Sequence, residues 1–363
     1  MSLPTHSAAQ ARGGTTIDRI PSLERSVRRE LDSVIGEYKR AAAGYSPATA
    51  VLWNRIGAAL GGGKLTRPRL VMLGHEAFGG RDARRATTLG CAFELLHGSL
   101  LMHDDVIDRD FTRRGRPTLS ARYRDEALAS GKSQSDAEHA GHAAAIIAGD
   151  LLLAASIKLA LKAADSLPAE SAIENAFHQG IHNAGAGELE DLLFSLAGSP
   201  AKVQEVLRME ELKTAAYSFQ VPMQAGALLA GADAEEAAAL GDIGSQLGVA
   251  YQLIDDVLGT FGDPEVTGKS IESDLREGKS TILTAMASTT PAFTENLQLF
   301  RDQRTDIATL RESLQRTGAE SFARQLAEEL CHGATQSAHQ LRLPAHVSAA
   351  LEDFSSLILH RGA

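Results

Sequence analysis

Apolar residues return every three or four positions along most of this chain. The segments SLERSVRRELDSVIGEYKRAAAG (22–44), ATTLGCAFELLHGSLLMHDDVI (86–107) and ALGDIGSQLGVAYQLIDDVLG (239–259) show the spacing most clearly. They are rich in Ala, Leu and Glu and poor in β-branched runs, so the pattern predicts helices. No strand-like alternation competes with it. In ADAEEAAALG (232–241), Asp233 and Glu236 stand at capping-box spacing and predict a local helix start. Breaks are expected at GGGKLTRP (61–68), ASGKSQSDAEHAG (129–141), AGSPAK (197–202) and GDPEVTGKSIESDLREGKST (262–281). None has the character of an interdomain linker, and no repeat period stands out. The expected organisation is all-α: one large domain over residues 21–363, preceded by a loose polar tail over 1–20.

Composition narrows this picture. A chain of 363 residues with 44% apolar content can bury a substantial core. The net charge is −10, from 36 Lys and Arg against 46 Asp and Glu. That balance argues against a nucleic-acid partner, which needs a basic surface. An anionic ligand would therefore need a local cationic patch or metal ions. Cys91 and Cys331 lie far apart, match no ligand spacing and read as free thiols in a reducing compartment. The opening residues lack the apolar stretch of a secretory signal. The run from Ala143 to Leu161 is interrupted by Asp150 and Lys158, so no membrane span is expected. A cytoplasmic protein is the expectation.

The stretch HDDVIDRDFTRRGR (103–116) packs four aspartates into seven positions and follows them with three arginines, Arg113, Arg114 and Arg116. On a helix, Asp104 and Asp108 face the same way and Asp105 lies on the adjoining flank. Two carboxylates about 4 Å apart repel by about 4 kcal/mol at an effective dielectric near 20, so a core-facing helix needs a compensating cation. Lys or Arg would serve, and so would Mg²⁺, which takes a few carboxylates and shares its remaining positions with water and phosphates. A solvated acidic face is the plainer alternative for one such cluster. A second pair, Asp255 and Asp256 in YQLIDDVLGTFGD (251–263), is followed by a loop containing Lys269 and Lys279. Two carboxylate-tipped helices with cationic loops describe a clamp for a diphosphate held through Mg²⁺.

ELLHGSLLMHDDVIDRDFTRRGRPT resembles the first aspartate-rich region of the trans-isoprenyl diphosphate synthases, or polyprenyl synthetases. GGKLTRP (62–68) resembles their GGKxxRP element, ELKTAAYSF their KT element, and YQLIDDVLGTFGDPEVTGKSIESDLREGKST their second aspartate-rich region with its lysine loop. AIIAGDLLL (145–153) is a further similar block. The matches occur in family order over roughly residues 60 to 282.

The resemblance implies an all-α isoprenoid synthase bundle around a central cavity, commonly a homodimer, with both aspartate clusters at the cavity mouth. It implies that Asp104, Asp105 and Asp108, with Asp255 and Asp256, hold Mg²⁺ on an allylic diphosphate, reinforced by Arg113, Lys213, Lys269 and Lys279. Lys64, Arg67, His97 and Arg114 would bind isopentenyl diphosphate. Lys213, Thr214 and Gln252 would lie near the developing carbocation, and the loop 262–281 would close as a lid. Arg109, Asp110 and His103 fall on no family role and read as surface residues. Two departures stand out: Gly259 replaces the third aspartate of the second motif, and Leu65 stands where many members carry Arg.

In the family the growing tail runs beside the helix leading into the first aspartates. A straight helix places Leu100 about 40° and Phe93 about 20° from Asp104, roughly 6 and 16 Å deeper. Ser99 is small, and no aromatic stands at the level typical of farnesyl-length members. A product longer than farnesyl diphosphate follows, geranylgeranyl diphosphate if Phe93 is the floor; a longer polyprenyl or a farnesyl product is the alternative. A class I terpene cyclase would lack the Lys64, Arg67, His97 and Arg114 set. A non-catalytic partner subunit would usually have lost aspartates that this chain keeps.

Overall fold

A computed structural model describes residues 16–113, 115–197, 200–262, 275 and 279–361, with the backbone alone for 16–21. The helices are α1 (Thr16–Ala42), α2 (Pro47–Ala59), α3 (Thr66–Ala77), α4 (Ala83–Ile107), α5 (Leu119–Ala129), α6 (Gln134–Ala164), α7 (Glu170–Leu196) and α8 (Val203–Glu210). A π-helical segment, Glu211–Gln220, leads into α9 (Val221–Ala230) and α10 (Ala234–Phe261). Then come α11 (Ile282–Ala287), α12 (Pro291–Arg301), α13 (Ile307–Gln315), α14 (Ala319–Gln340) and α15 (Ala345–Leu359). Apart from these, a two-residue hairpin pairs β1 (Thr112–Arg113) with β2 (Arg116–Pro117), antiparallel. The all-helical expectation holds.

Local chemistry sets the boundaries. Asp233 caps α10 by accepting from the Glu236 amide at 2.8 Å while Glu236 reaches back to the Asp233 amide, the capping box read from the sequence. Two boundaries differ from expectation. Helix α1 begins at Thr16, inside the stretch read as a tail, while residues 1–15 lie outside the described ones. Helix α6 begins at Gln134, inside the polar stretch 129–141 read as a break, because the Ser133 hydroxyl caps it by accepting from the Asp136 amide at 3.2 Å. The resulting 31-residue helix is long and apolar enough to cross a membrane by length and composition, Asp150 and Lys158 notwithstanding. It lies instead along α4 and α5, with 44% of its most apolar stretch buried in the fold.

One continuous apolar core runs from Val27 on α1 to Ile358 on α15. Phe93, Leu95 and Leu96 of α4, Leu152 of α6, Ile173 of α7, Met223 of α9 and Leu240 and Leu247 of α10 are among its wholly buried side chains. Burying each stabilises the fold by about 1.5–3 kcal/mol relative to exposure. Helix α3 packs on α9, and α10 packs on both α14 and the π-helical segment.

That segment positions the chemistry. Pro222 follows it, and a proline ring in an α-helix collides with the carbonyl four residues back and leaves it without an N–H. The wider turns before Pro222 relieve both conflicts. Glycines let the neighbouring backbones approach: a Cβ on Gly187 of α7 would lie 2.2 Å from the Lys213 nitrogen, and one on Gly248 of α10 would lie 2.7 Å from Ala215 Cα. The π-helical segment is thus held between α7 and α10 at backbone contact. Gly187→Ala is expected to cost about 1–3 kcal/mol, since backbone rather than a movable side chain must give way. Urea denaturation of the two proteins measures it, and equal midpoints would refute the tight packing.

Candidate active site

Helix α4 ends at Ile107 with Asp108 as its C-cap, so Asp104, Asp105 and Asp108 crowd the last turn and cap. The Asp108 amide donates to the Asp104 carbonyl at 2.8 Å, and the Asp110 amide to the Asp105 carbonyl at 2.8 Å. A helix C-terminus carries partial negative charge, so three carboxylates there are doubly unfavourable without cations. The chain supplies the first locally. Arg109 adopts φ 58°, turning the backbone into the β1–β2 hairpin, which brings Arg113 back onto the helix end. Arg113 Nε donates to Asp105 Oδ1 at 2.6 Å, and Nη2 donates to Asp104 Oδ2.

Two lysines arrive from afar. Lys279 Nζ donates to Asp108 Oδ2 at 2.6 Å. Lys213, in the π-helical segment, donates to Asp191 Oδ2 at 2.6 Å and lies 3.1 Å from Glu188 Oε2 and 3.6 Å from Asp104 Oδ1. Burial alone would discharge these lysines. For Lys213, burial lowers the pKa but Asp104, Asp191 and Glu188 more than compensate, so it stays protonated; Asp108 does the same for Lys279. Burial pushes Asp104 up, yet Lys213, Arg113 and Lys279 outweigh it and hold its carboxyl below the ordinary range. Burial wins at Asp105, which is pushed up to about 6 although Arg113 opposes it. Burial likewise raises Asp110 and Glu188.

Among the described residues, then, five carboxylates meet three cations, an excess of two negative charges. No trio of His, Cys, Asp and Glu among the described residues is gathered at metal-binding geometry. The donor set nonetheless fits a hard divalent cation: all oxygens, with surplus charge of the matching size and arginine and lysine already neutralising the rest.

The second pair lies in the last turns of α10. Asp255 Oδ1 is 3.0 Å from Nη1 of Arg361, whose guanidinium also sits 4.5 Å over the Tyr251 ring. Asp256 is buried, accepts from Gln252 Nε2 at 2.9 Å and lies against Glu210. Gln252 is therefore engaged by Asp256. Thr214 is half-buried beside Lys213.

A second polar group forms where α3, α4 and the π-helical segment meet. Arg67 Nη2 donates to Ser218 Oγ at 2.8 Å and lies 3.4 Å from Tyr217 Oη, with its guanidinium 5.1 Å from the Tyr217 ring centre. Tyr217 Oη is also 3.2 Å from His97 Nδ1. Arg67 Nε is sealed from solvent without a hydrogen-bond partner. Lys64 is exposed in the turn before α3, and Leu65 at its N-cap is buried at φ 52°. An arginine at position 65 would therefore point a charge into the core.

Of the residues read for product length, Phe93 is wholly buried against Phe177 of α7, ring centres 4.8 Å apart. Leu100 is half-buried against the core. Ser99 is buried and donates to the Gly149 carbonyl of α6 at 2.8 Å, so its hydroxyl serves helix packing. His103 is not the surface residue expected: its ring lies against Gly149 and its Nε2 is 3.2 Å from Asp150. Asp110, expected at the surface, is half-buried behind Asp108. Arg114, Lys269 and most of the expected lid (262–281) lie outside the described residues.

Sequence reading missed Glu188, Asp191, Glu210, Tyr217, Ser218 and Arg361. Glu188 and Asp191, three apart in GELED, carried a usable signal: two carboxylates on one face of a helix. Arg361 carried none, since only the fold brings it to Asp255.

The raised Asp105 carboxyl makes a pH prediction. Its folded pKa exceeds the unfolded one, so its stabilising protonation is complete below about pH 4 and lost as pH rises through about 6. In metal-free protein, wild type should lose up to about 2–3 kcal/mol relative to Asp105→Asn between pH 4 and 7. Parallel urea titrations in chelator measure the difference, and a pH-independent gap would contradict it.

Residues 52–316 match the model of the polyprenyl synthetase family. The geranylgeranyl diphosphate synthase of Sulfolobus acidocaldarius is 38% identical over 224 residues, covering 61% of this chain and 62% of that protein. That of Mycobacterium tuberculosis is 37% identical over 254 residues, covering 69% of this chain and 66% of that protein. The chain thus spans a little under two thirds of the length of these curated relatives. Its fold matches a crystal structure of the geranylgeranyl pyrophosphate synthase of Corynebacterium glutamicum, complexed with isoprenyl diphosphate and magnesium. The TM-score is 0.86 at 27% identity, over 95% of this chain and 99% of that one. An isoprenoid synthase helical bundle carrying two aspartate-tipped helices, matched by a family model over most of its length, places this chain in the polyprenyl synthetase family.

Proposed function

We propose that the protein is a trans-prenyltransferase that condenses isopentenyl diphosphate with an allylic diphosphate, head to tail, to give geranylgeranyl diphosphate. The observation that carries this reading is the convergence of Arg113, Lys213 and Lys279 on Asp104, Asp105 and Asp108, with the separate Arg67–His97 group at the other end of the same π-helical segment. Two anion-binding sites against one helical segment suit two diphosphate substrates. A terpene cyclase has no use for the second.

Asp104, Asp105, Asp108 and Asp255 would hold Mg²⁺, which neutralises the departing pyrophosphate when bound. Arg113, Lys213 and Lys279, now spent on carboxylates, are free to turn to diphosphate oxygens once a metal takes over that charge. Arg67, His97 and Lys64 hold isopentenyl diphosphate so that its double bond faces C1 of the allylic group. The allylic C1–O bond breaks as charge builds on the pyrophosphate. The isopentenyl double bond then forms the new C–C bond, and a proton passes to the released pyrophosphate. Thr214 and Gln252 line the approach to the cation, and no protein nucleophile is needed.

The buried Phe93–Phe177 pair supports a floor that stops the tail at geranylgeranyl length. The exposed Ile146, Ile147, Ile157 and Leu161 of α6, with Leu189, Leu193 and Leu196 of α7, support a homodimer rather than a membrane span. The negative charge balance supports an enzyme without a nucleic-acid partner, and the free Cys91 and Cys331 suit a reducing, cytoplasmic setting.

Incubation with Mg²⁺, isopentenyl diphosphate and farnesyl diphosphate should release pyrophosphate and geranylgeranyl diphosphate, and chelator should stop it. Asp104→Asn and Asp255→Asn should each lower kcat by about 10²–10³-fold; normal turnover by either would overturn the reading, as would cyclised hydrocarbon. Phe93→Ala should lengthen the product on chromatography at a stability cost of about 3–5 kcal/mol. An unchanged product would remove Phe93 as the stop.

A further inference from the structure

Glu210, the last residue of α8, is only 4% exposed. Both of its carboxyl oxygens are sealed from solvent, and the groups facing them are the Asp256 carboxyl and the Ile282 amide. No Lys, Arg or His among the described residues pairs with it. Its acidic neighbour is Asp256, itself 7% exposed, with Asp191 beyond. The cation one turn along the same stretch, Lys213, is already shared by Asp191, Glu188 and Asp104. Buried charges in proteins are paired or coordinate metals, and Glu210 is placed against another acid instead.

The two aspartate helices differ in a matching way. Asp104 and Asp105 are followed one turn later by Asp108, whereas Asp255 and Asp256 are followed by Gly259, which has no side chain. Glu210 approaches Asp256 from the adjacent element, on the stretch that also sends Lys213 to Asp104. We propose that Glu210 supplies the carboxylate missing at Gly259 and, with Asp256, ligates a divalent cation on the second aspartate helix. Two protein carboxylates, completed by water and diphosphate oxygens, are a sufficient set for Mg²⁺. The inference rests on the cation-dependent reading above and assigns one more ligand to it.

Mn²⁺ titration of the full chain with inorganic pyrophosphate, followed by calorimetry and electron paramagnetic resonance, tests it. Glu210→Gln keeps the shape and removes the charge. Its affinity for one class of bound Mn²⁺ should fall by about 10–100-fold, while its metal-free Tm equals or exceeds that of wild type. An anomalous-scattering peak from Mn²⁺ within coordinating distance of a Glu210 oxygen in soaked wild-type crystals is the second expected result, and needs no variant to fold. Mn²⁺ binding by Glu210→Gln equal to wild type, or a peak that ignores Glu210, would overturn the inference and leave the prenyltransferase reading standing. Absence of Mn²⁺ binding by the wild-type chain would overturn both.

Discussion

The structure turns on one half-buried ammonium. Lys213 is shared by carboxylates from two helices, Asp104 at the end of α4 and Glu188 and Asp191 on α7. None of these acids tolerates burial without a cation, and Lys213 does not tolerate it without the acids. The cluster is stable only as a set, which is why the element carrying Lys213 must be placed to within a fraction of an ångström. Gly187 and Gly248 permit that placement by letting α7 and α10 touch its backbone. Packing and electrostatics are the same constraint seen from two sides.

The charge economy follows from it. In this acidic chain three cations are gathered at one place, and they come from a hairpin, a π-helical segment and the residue opening the approach to α11. Each cation is parked on an aspartate. The parked state leaves carboxylates in excess, and burial, with smaller contributions from neighbouring carboxylates, raises Asp105, Asp110 and Glu188. On the proposed function, a divalent ion would relieve that surplus and release arginine and lysine for phosphate oxygens, coupling metal binding to substrate binding through charge.

On the proposed function, the π-helical segment would extend that coupling to the Arg67–His97 group. Lys213 stands near its start, and Tyr217 and Ser218, which hold His97 and Arg67, stand about one turn further on. A displacement of the segment moves both groups together. In an α-helix the same residues would point elsewhere, because the wider turn changes the angle between successive side chains.

Much of this was legible in the letters. Periodic apolar spacing over α1, α4 and α10 determined the helices, the Asp233–Glu236 spacing determined one helix start, and the paired aspartates with their flanking basic residues determined the chemistry, since these are local properties of consecutive residues. Only the tertiary structure decided that Arg361 meets Asp255, that Glu210 lies against Asp256, that Ser99 serves α6 and that Lys213 belongs to three carboxylates at once. Those partners lie tens to hundreds of residues apart, and nothing in a local pattern says which buried faces will touch. A carboxylate's role follows from the charge placed beside it, and that placement is a property of the folded chain.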